Sequence, residues 1–397
     1  MRSLGDTVFD GPLQLPLLIL KESALQNNLR EMRDFCEQHD VELAPHCKTH
    51  MSPELWRMQA ESGAVTATVA TVAQAQALFD HGVKSIMIAN EVVDRAGLMA
   101  ITEMHRSADI RILVDSVEAV TVIDSCLSRI PANLDPLPVL IELGVQGHRA
   151  GVRVLDDLLE VAMAISKSPF LTLVGLEGYE GVLGTLPQQE REKGLHDYLD
   201  SGVAAVRALI ARGLVQVPAV VTFGGSRYYP AVVSRVREEL DPAEAVVVLR
   251  SGCYLTHDHG SYAASHAEPS VIRKPLLTPA IEVWGVVLSL PEPGLAIVGV
   301  GKRDVSHDDG LPVPLIFRRA EAGTAPQYID AVGATVFRMS DQHTFVRIPA
   351  DAGFELGVGD LMAFGVSHPC TTFDKWRTAQ IVDDRYRLCD TAHTIFH

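Results

Sequence analysis

LTLVGLEGYEGVLGTLPQQEREKGLHDYLDSGVAAVRALIARGLVQVPAVVTFGG, residues 171–225, holds a complete strand–helix–strand unit. Its ends, LTLVGLEG and AVVTFGG, are short β-rich runs, apolar on both faces. Between them Gln188–Arg212 repeats apolar residues at helical spacing and stops at Gly213, a common residue just past a helix end. Strands that are apolar throughout and joined through helices belong to a parallel sheet covered on both faces. The same alternation extends outward on either side, through VELAPHCK (41–48), VTATVAT (65–71), KSIMIAN (84–90), IRILVD (110–115), LPVLIELG (137–144) and AVVVLRSG (245–252). Helical spacing fills the gaps at Pro53–Ser62, Val72–His81, Arg95–Arg106, Val117–Arg129 and Leu155–Ser166, and Ser52-Pro53 reads as an N-cap followed by proline at the first helical position.

Eight such strands predict an α/β fold, an eight-stranded parallel (β/α)8 barrel. Alternation alone does not separate a closed barrel from a doubly wound open sheet. Leu15–His39 adds a short strand and a helix ahead of the first barrel strand. Past about residue 275 helical periodicity fades, and EVWGVVLSL, LAIVGVGK, ATVFRMSDQHTFVRI and LMAFGVS alternate with Pro, Gly and Asp clusters. That texture predicts a C-terminal mostly β domain. The expected division is 1–270 for the barrel and 271–397 for the β domain, with residues before about 20 returning to pair with the latter.

The chain has 397 residues, and 34 Lys+Arg against 50 Asp+Glu give a formal charge of −16. Such an acidic balance argues against nucleic-acid binding, which needs clustered cations. No run approaches the ~18 apolar residues of a membrane span, and the first residues lack the pattern of a secretory signal. The six cysteines are scattered without a CxxC and read as reduced thiols of a cytoplasmic protein.

In a barrel, chemistry gathers at the C-terminal ends of the strands. Those ends present Lys48, Thr71, Asn90, Asp115, Arg149, Tyr179, Gly224-Gly225-Ser226 and Ser251-Gly252. The last two turns, TFGGSRYY and RSGCY, occupy the slots where barrels bind phosphate through backbone N–H groups, although glycines also serve simply to make tight turns. Lys48 in PHCKTH is either an exposed loop lysine or a desolvated amine able to form a Schiff base. A lysine opposite an anion site suits pyridoxal phosphate (PLP), which needs both. Near the C-terminus, VSHPCTTFDKW carries His368 and Cys370. On an extended segment residues i and i+2 share a face, so the pair reads either as ligands of a zinc-like ion or as buried packing. THDHG (His257, His259) and SDQH (His343) read as hydrated loops.

Together PHCKTH, ATVA, IANEVV, GVQGHRAG, EGYEG, TFGGS and the final HxC resemble the D-serine dehydratase and D-threonine aldolase group, including its amino acid deaminase subgroup. The likeness runs from LLILKESALQNNL to HPCTTFDKW. It implies an alanine-racemase-like barrel and a C-terminal β domain, with Lys48 as the Schiff-base lysine. Gly225, Ser226, Gly252 and Tyr254 would hold the phosphate, and Arg149 and Tyr179 would lie near the cofactor ring. His368 and Cys370 match the pair that binds a divalent metal, with zinc favoured over manganese or magnesium. The resemblance also implies a homodimer and a small β-hydroxy-D-amino acid substrate.

Within that group a cysteine as second metal ligand accompanies dehydratases and an aspartate accompanies aldolases, so Cys370 points to a dehydratase releasing a 2-oxo acid and ammonia. The alternatives are retro-aldol cleavage to glycine and an aldehyde, and a non-catalytic PLP-binding protein of cofactor homeostasis. Met51, where members often carry a basic residue, and TTFDKW after Cys370 depart from the usual pattern and bear on subgroup and substrate.

Overall fold

The chain's parallel strands are uncommonly apolar, and the computed structural model shows what covers them. It describes residues 7–130, 135–266, 270–319 and 326–396. After β1 (Leu17–Lys21) and α1 (Glu22–His39) come β2 (Glu42–Leu43), α2 (Pro53–Glu61), β3 (Ala67–Val69), α3 (Val72–Asp80), β4 (Ser85–Glu91), α4 (Arg95–His105), β5 (Asp109–Val114) and α5 (Val117–Leu127). β6 (Leu137–Leu143), α6 (Leu155–Lys167), β7 (Leu171–Gly178), α7 (Gln188–Ala211), β8 (Ala219–Phe223), α8 (Tyr229–Glu239) and β9 (Ala245–Leu249) complete the unit.

The sheet runs β2-β9-β8-β7-β6-β5-β4-β3, parallel throughout. Parallel bridges Leu43–Ala64 and His46–Thr68 join its two ends, so the open-sheet alternative falls away. Residues along each strand alternate between two cores. Met87, Leu113 and Leu140, with Ala89, Val174 and Val220 beside them, form one cluster inside the barrel. Ile86, Ile88, Ile112, Val114, Val139 and Ile141 belong to the larger core shared with the helices. Several helices start on a side-chain cap directly after a strand. Ser52 Oγ accepts from the Leu55 amide, Thr71 Oγ1 from Gln74, Asp94 Oδ1 from Gly97 and Ser116 Oγ from Ala119. α7 is followed by Gly213 at φ +65°, as its sequence predicts.

The remaining elements are α9 (Ser261–His266), β10 (Ile281–Glu292), β11 (Leu295–Val298), β12 (Val313–Arg319), β13 (Gln327–Asp330), β14 (Thr335–Met339), β15 (Thr344–Arg347), β16 (Leu361–Gly365), α10 (Pro369–Phe373), β17 (Thr378–Val382) and β18 (Leu388–His393). A second sheet runs β13-β12-β16-β10-β1-β17-β18, and β11, β14 and β15 branch from β10. β1 lies antiparallel to β10, with Leu17 opposite Trp284, and parallel to β17, with Ile19 opposite Gln380. The chain's first strand therefore sits in the middle of the sheet that its last residues complete. Trp284 is fully buried there against the rings of Phe9 and Tyr386. No helix among the described residues is long and apolar enough to cross a membrane.

Candidate active site

The inner cluster fills the barrel only partway. Above it a cavity of about 330 Å³ opens at the C-terminal ends of the strands, with Ala89 and Leu113 in its lining. Lys48, Arg149, Tyr179, Gly225, Ser226, Gly252, His368 and Cys370 all line it. Tyr254 does not. Its side chain is buried in the hydrophobic core, which leaves only its backbone to serve a ligand.

Lys48 stands in a single 3₁₀ turn, Cys47–Thr49, just beyond β2 rather than at the strand's end. Burial lowers its pKa, and Arg149 and Arg250 push the same way, while Cys370 and Cys253 oppose them. The result favours a neutral, nucleophilic amine. Arg149 lies in the loop after β6, its guanidinium 5.6 Å from the centre of the Tyr179 ring. Asp115 accepts a hydrogen bond from the Gly151 amide at 3.1 Å and so fastens that loop.

The glycine turn after β8 differs from its expected role in one respect. Its Gly224 and Gly225 amides already donate to the fully buried Glu180 carboxylate, at 3.1 and 2.8 Å. The turn's amides do meet a carboxyl group, but that group is this chain's own, held above the ordinary carboxyl range by burial against the pull of the two amides. Groups left for a phosphate are Ser226 and the following turn, where the Cys253 amide donates to Ser226 Oγ at 3.2 Å. Gly252 is needed for closeness. A Cβ there would stand 2.4 Å from the His46 carbonyl oxygen and 2.8 Å from Thr49 Oγ1.

Charged residues that the sequence reading passed over sit beneath these groups. Arg250 donates to Thr222 O at 2.8 Å and Gly178 O at 2.9 Å, and is ion-paired with Glu177. Burial raises Glu177 to about 7, against the pull of Arg250. Glu91 is raised to about 8 by burial and by its hydrogen bond with Glu142, itself raised by burial and by Glu177. Three carboxyl groups, on β4, β6 and β7, are thus held above the ordinary carboxyl range, chiefly by burial. The available signal was a charge inside an apolar strand, as in LTLVGLEG and AVVVLRSG.

His368 and Cys370 do meet at this cavity, though not on an extended segment. His368 is the extended N-cap of α10, Pro369 opens the helix, and Cys370 lies in its first turn. Nδ1 of His368 is 2.8 Å from Asp308 Oδ2, while Asp308 Oδ1 accepts from Thr371 at 2.8 Å. This carboxylate–imidazole contact orients the ring as second partners of metal-binding histidines do. Hydrogen bonding to Cys370, helped by Asp308, raises His368 to about 9 against its burial. A hydrogen bond with Cys253 holds the Cys370 thiol well below its ordinary value despite burial. Thr49 Oγ1 lies 3.3 Å from the Cys370 sulfur. Among the described residues no group of three or more His, Cys, Asp or Glu side chains stands ready to hold an ion. His257 is buried and His259 half-buried rather than hydrated, and Asp258 between them accepts from three backbone amides.

Family models match most of the chain. One described as "Alanine racemase, N-terminal domain" covers residues 20–227, and one described as "Putative serine dehydratase domain" covers 280–382. The chain is 28% identical over 311 residues to a 3-hydroxy-D-aspartate aldolase of Paracoccus denitrificans (strain Pd 1222), spanning 76% of each. It is 27% identical over 282 residues to a D-threo-3-hydroxyaspartate dehydratase of Delftia sp. (strain HT23), spanning 69% of this chain and 71% of that one. A crystal structure of D-threonine aldolase from Filomicrobium marinum superposes with a TM-score of 0.82 at 24% identity, over 99% and 97% of the two chains.

Proposed function

The chain belongs to the alanine racemase N-terminal domain family, and from that premise we propose that it is a PLP-dependent lyase of β-hydroxy-D-amino acids, acting as a dehydratase. One observation carries the reading. Lys48, from the start of the chain, and the His368–Cys370 pair, from its end, line the same cavity. An amine that captures an aldehyde and a donor pair that takes a soft divalent ion have no reason to converge unless one ligand meets both.

The residues fit the cofactor. Lys48 is desolvated, Gly252 lets the last barrel turn lie against the segment that carries it, and Ser226 with the Gly252–Cys253 turn offers hydroxyl and amide groups to a phosphate. His46 Nδ1 and Glu177 Oε2 are buried polar atoms without hydrogen-bond partners, in residues that line the cavity. When bound, PLP supplies an electron sink for charge developing at the substrate's Cα. His368 and Cys370 fit zinc, whose usual donors are imidazole and thiolate, and two protein donors leave coordination positions for water and a substrate hydroxyl.

The chain's own groups then have distinct tasks. Lys48 Nζ, free to be neutral, takes the Cα proton. Arg149 and Arg250 set a positive field at the cavity floor, and the raised pKa values of Glu91, Glu142 and Glu177 limit the negative charge that opposes it. Asp308 fixes the His368 ring, and Thr49 holds the Cys370 sulfur. Loss of the Cα proton and the β-hydroxyl, followed by hydrolysis, gives a 2-oxo acid and ammonia. A thiol rather than a carboxylate as second donor favours this outcome over retro-aldol cleavage, which the aldolase activity of two relatives keeps as the second reading. The same reading carries zinc as the metal, a homodimer and a cytoplasmic setting.

Incubation with D-threonine, PLP and zinc tests it. The dehydratase reading expects 2-oxobutyrate and ammonia. Glycine and acetaldehyde would replace it with the aldolase, and no product from D-threonine, D-serine or 3-hydroxy-D-aspartate would overturn the lyase reading itself.

A further inference from the structure

The Cys253 side chain has no part in the function proposed above, yet its thiol is aimed at the residue whose thiol does. The two sulfurs are 3.6 Å apart, and Thr49 Oγ1 lies 3.8 Å from one and 3.3 Å from the other. One sulfur comes from the turn after the last barrel strand and the other from α10, between β16 and β17 of the second sheet, so nothing in local sequence brings them together. The other four cysteines have no sulfur partner among the described contacts. Both Cys253 and Cys370 line the cavity, where a small solute reaches them.

We infer that Cys253 and Cys370 form a reversible thiol–disulfide pair within the cavity, oxidised by hydroperoxides. The peroxide oxygen accepts an electron pair from the Cys370 sulfur as its O–O bond breaks, leaving a sulfenic acid and one water. The Cys253 sulfur displaces the hydroxyl of that sulfenic acid as a second water, and the two thiol protons leave with the waters. Two thiols are oxidised and one peroxide is reduced. Closing the bond draws the sulfurs from 3.6 Å to about 2.05 Å, a motion within reach of side-chain rotation. The disulfide fixes the barrel turn to α10 and removes Cys370 as a donor to any metal. Disulfides that form reversibly at a solute-accessible cavity act as transient sensors in reducing surroundings.

The test treats the full-length protein, freed of metal by chelation, with hydrogen peroxide, and follows thiol count and peptide mass. Loss of two of the six thiols, a peptide joining Cys253 to Cys370 and full return with dithiothreitol are expected. Oxidation of Cys370 alone, with Cys253 still free, would overturn the inference, as would no oxidation of either. In Cys253→Ser or Cys253→Ala, Cys370 should proceed to sulfinic acid that dithiothreitol cannot restore, and recovery equal to the parent protein's would count against the pair. Zinc added beforehand should slow the disulfide. If it does not, the metal role of Cys370 fails while the disulfide stands.

Discussion

Gly252→Ala places one methyl group where the last barrel turn meets the segment carrying Lys48. The added carbon would lie 2.4 Å from the His46 carbonyl oxygen, 2.8 Å from Thr49 Oγ1 and 3.0 Å from His46 Cβ. Ordinary contact begins at 3.4 Å, so the carbonyl must retreat by about 1 Å. It cannot do so alone, because the Thr49 amide donates to it and the His46 amide is tied to Arg250 O. Overpacking of this kind costs about 1–3 kcal/mol. Lys48 is two residues away, and a misplacement of ~1 Å at a reacting group lowers turnover on the order of 10²-fold. Urea midpoints report the first effect, and turnover together with the visible absorbance of lysine-bound PLP reports the second. Gly194→Ala in α7 is the control, since its Cβ would meet only ordinary contacts, at 3.6 and 3.8 Å, and should stabilise by a few tenths to ~1 kcal/mol. A Gly252→Ala protein with parental stability and turnover would refute the claim that these two segments are rigidly coupled.

Asp308→Asn should weaken zinc binding about 10–100-fold in chelator competition, because His368 loses its orienting carboxylate; an unchanged affinity would remove Asp308 from that role. Glu180→Gln leaves one amide of the glycine turn facing an NH₂ group, and the unfolding free energy from urea titration should fall by about 1.5–3 kcal/mol, whereas no change would mean that water replaces the carboxylate. The raised pKa of Glu91 means that the folded protein keeps a proton which the unfolded chain releases. Its contribution is therefore fully present below the ordinary carboxyl value of 4.5 and is lost as pH rises toward about 8. The slope should stay below ~1.4 kcal/mol per pH unit because Glu91 is partly solvated, and Glu91→Gln should flatten it. A pH–stability curve identical in the variant would place the retained proton elsewhere.

How much of this was legible in the sequence depended on range. Strand and helix periodicity are local, so the eight barrel strands and the helix ending before Gly213 were readable, whereas Lys48, read at the end of the first barrel strand, lies beyond β2 in a 3₁₀ turn. Closure rests on the Leu43–Ala64 and His46–Thr68 bridges, which periodicity cannot express. Pro369 was a usable helix signal that the HxC reading ignored, and Tyr229-Pro230 marked α8 in the same way. The Glu180 carboxylate on the Gly224 and Gly225 amides spans more than forty positions, and Asp308 reaches His368 from sixty away. Side-chain capture of a backbone nest leaves no trace in spacing.

The placement of β1 has a consequence for synthesis and for engineering. Residues Leu17–Lys21 are synthesised before the whole barrel, whereas the strands that flank them begin at Ile281 and Thr378. An apolar ribbon with two open edges must wait through translation of the whole barrel before either edge is paired. Genetic dissection at the boundary near residue 270 would therefore split the second sheet rather than separate two modules. A chimera that exchanges that sheet with a relative's must carry its own first twenty residues along.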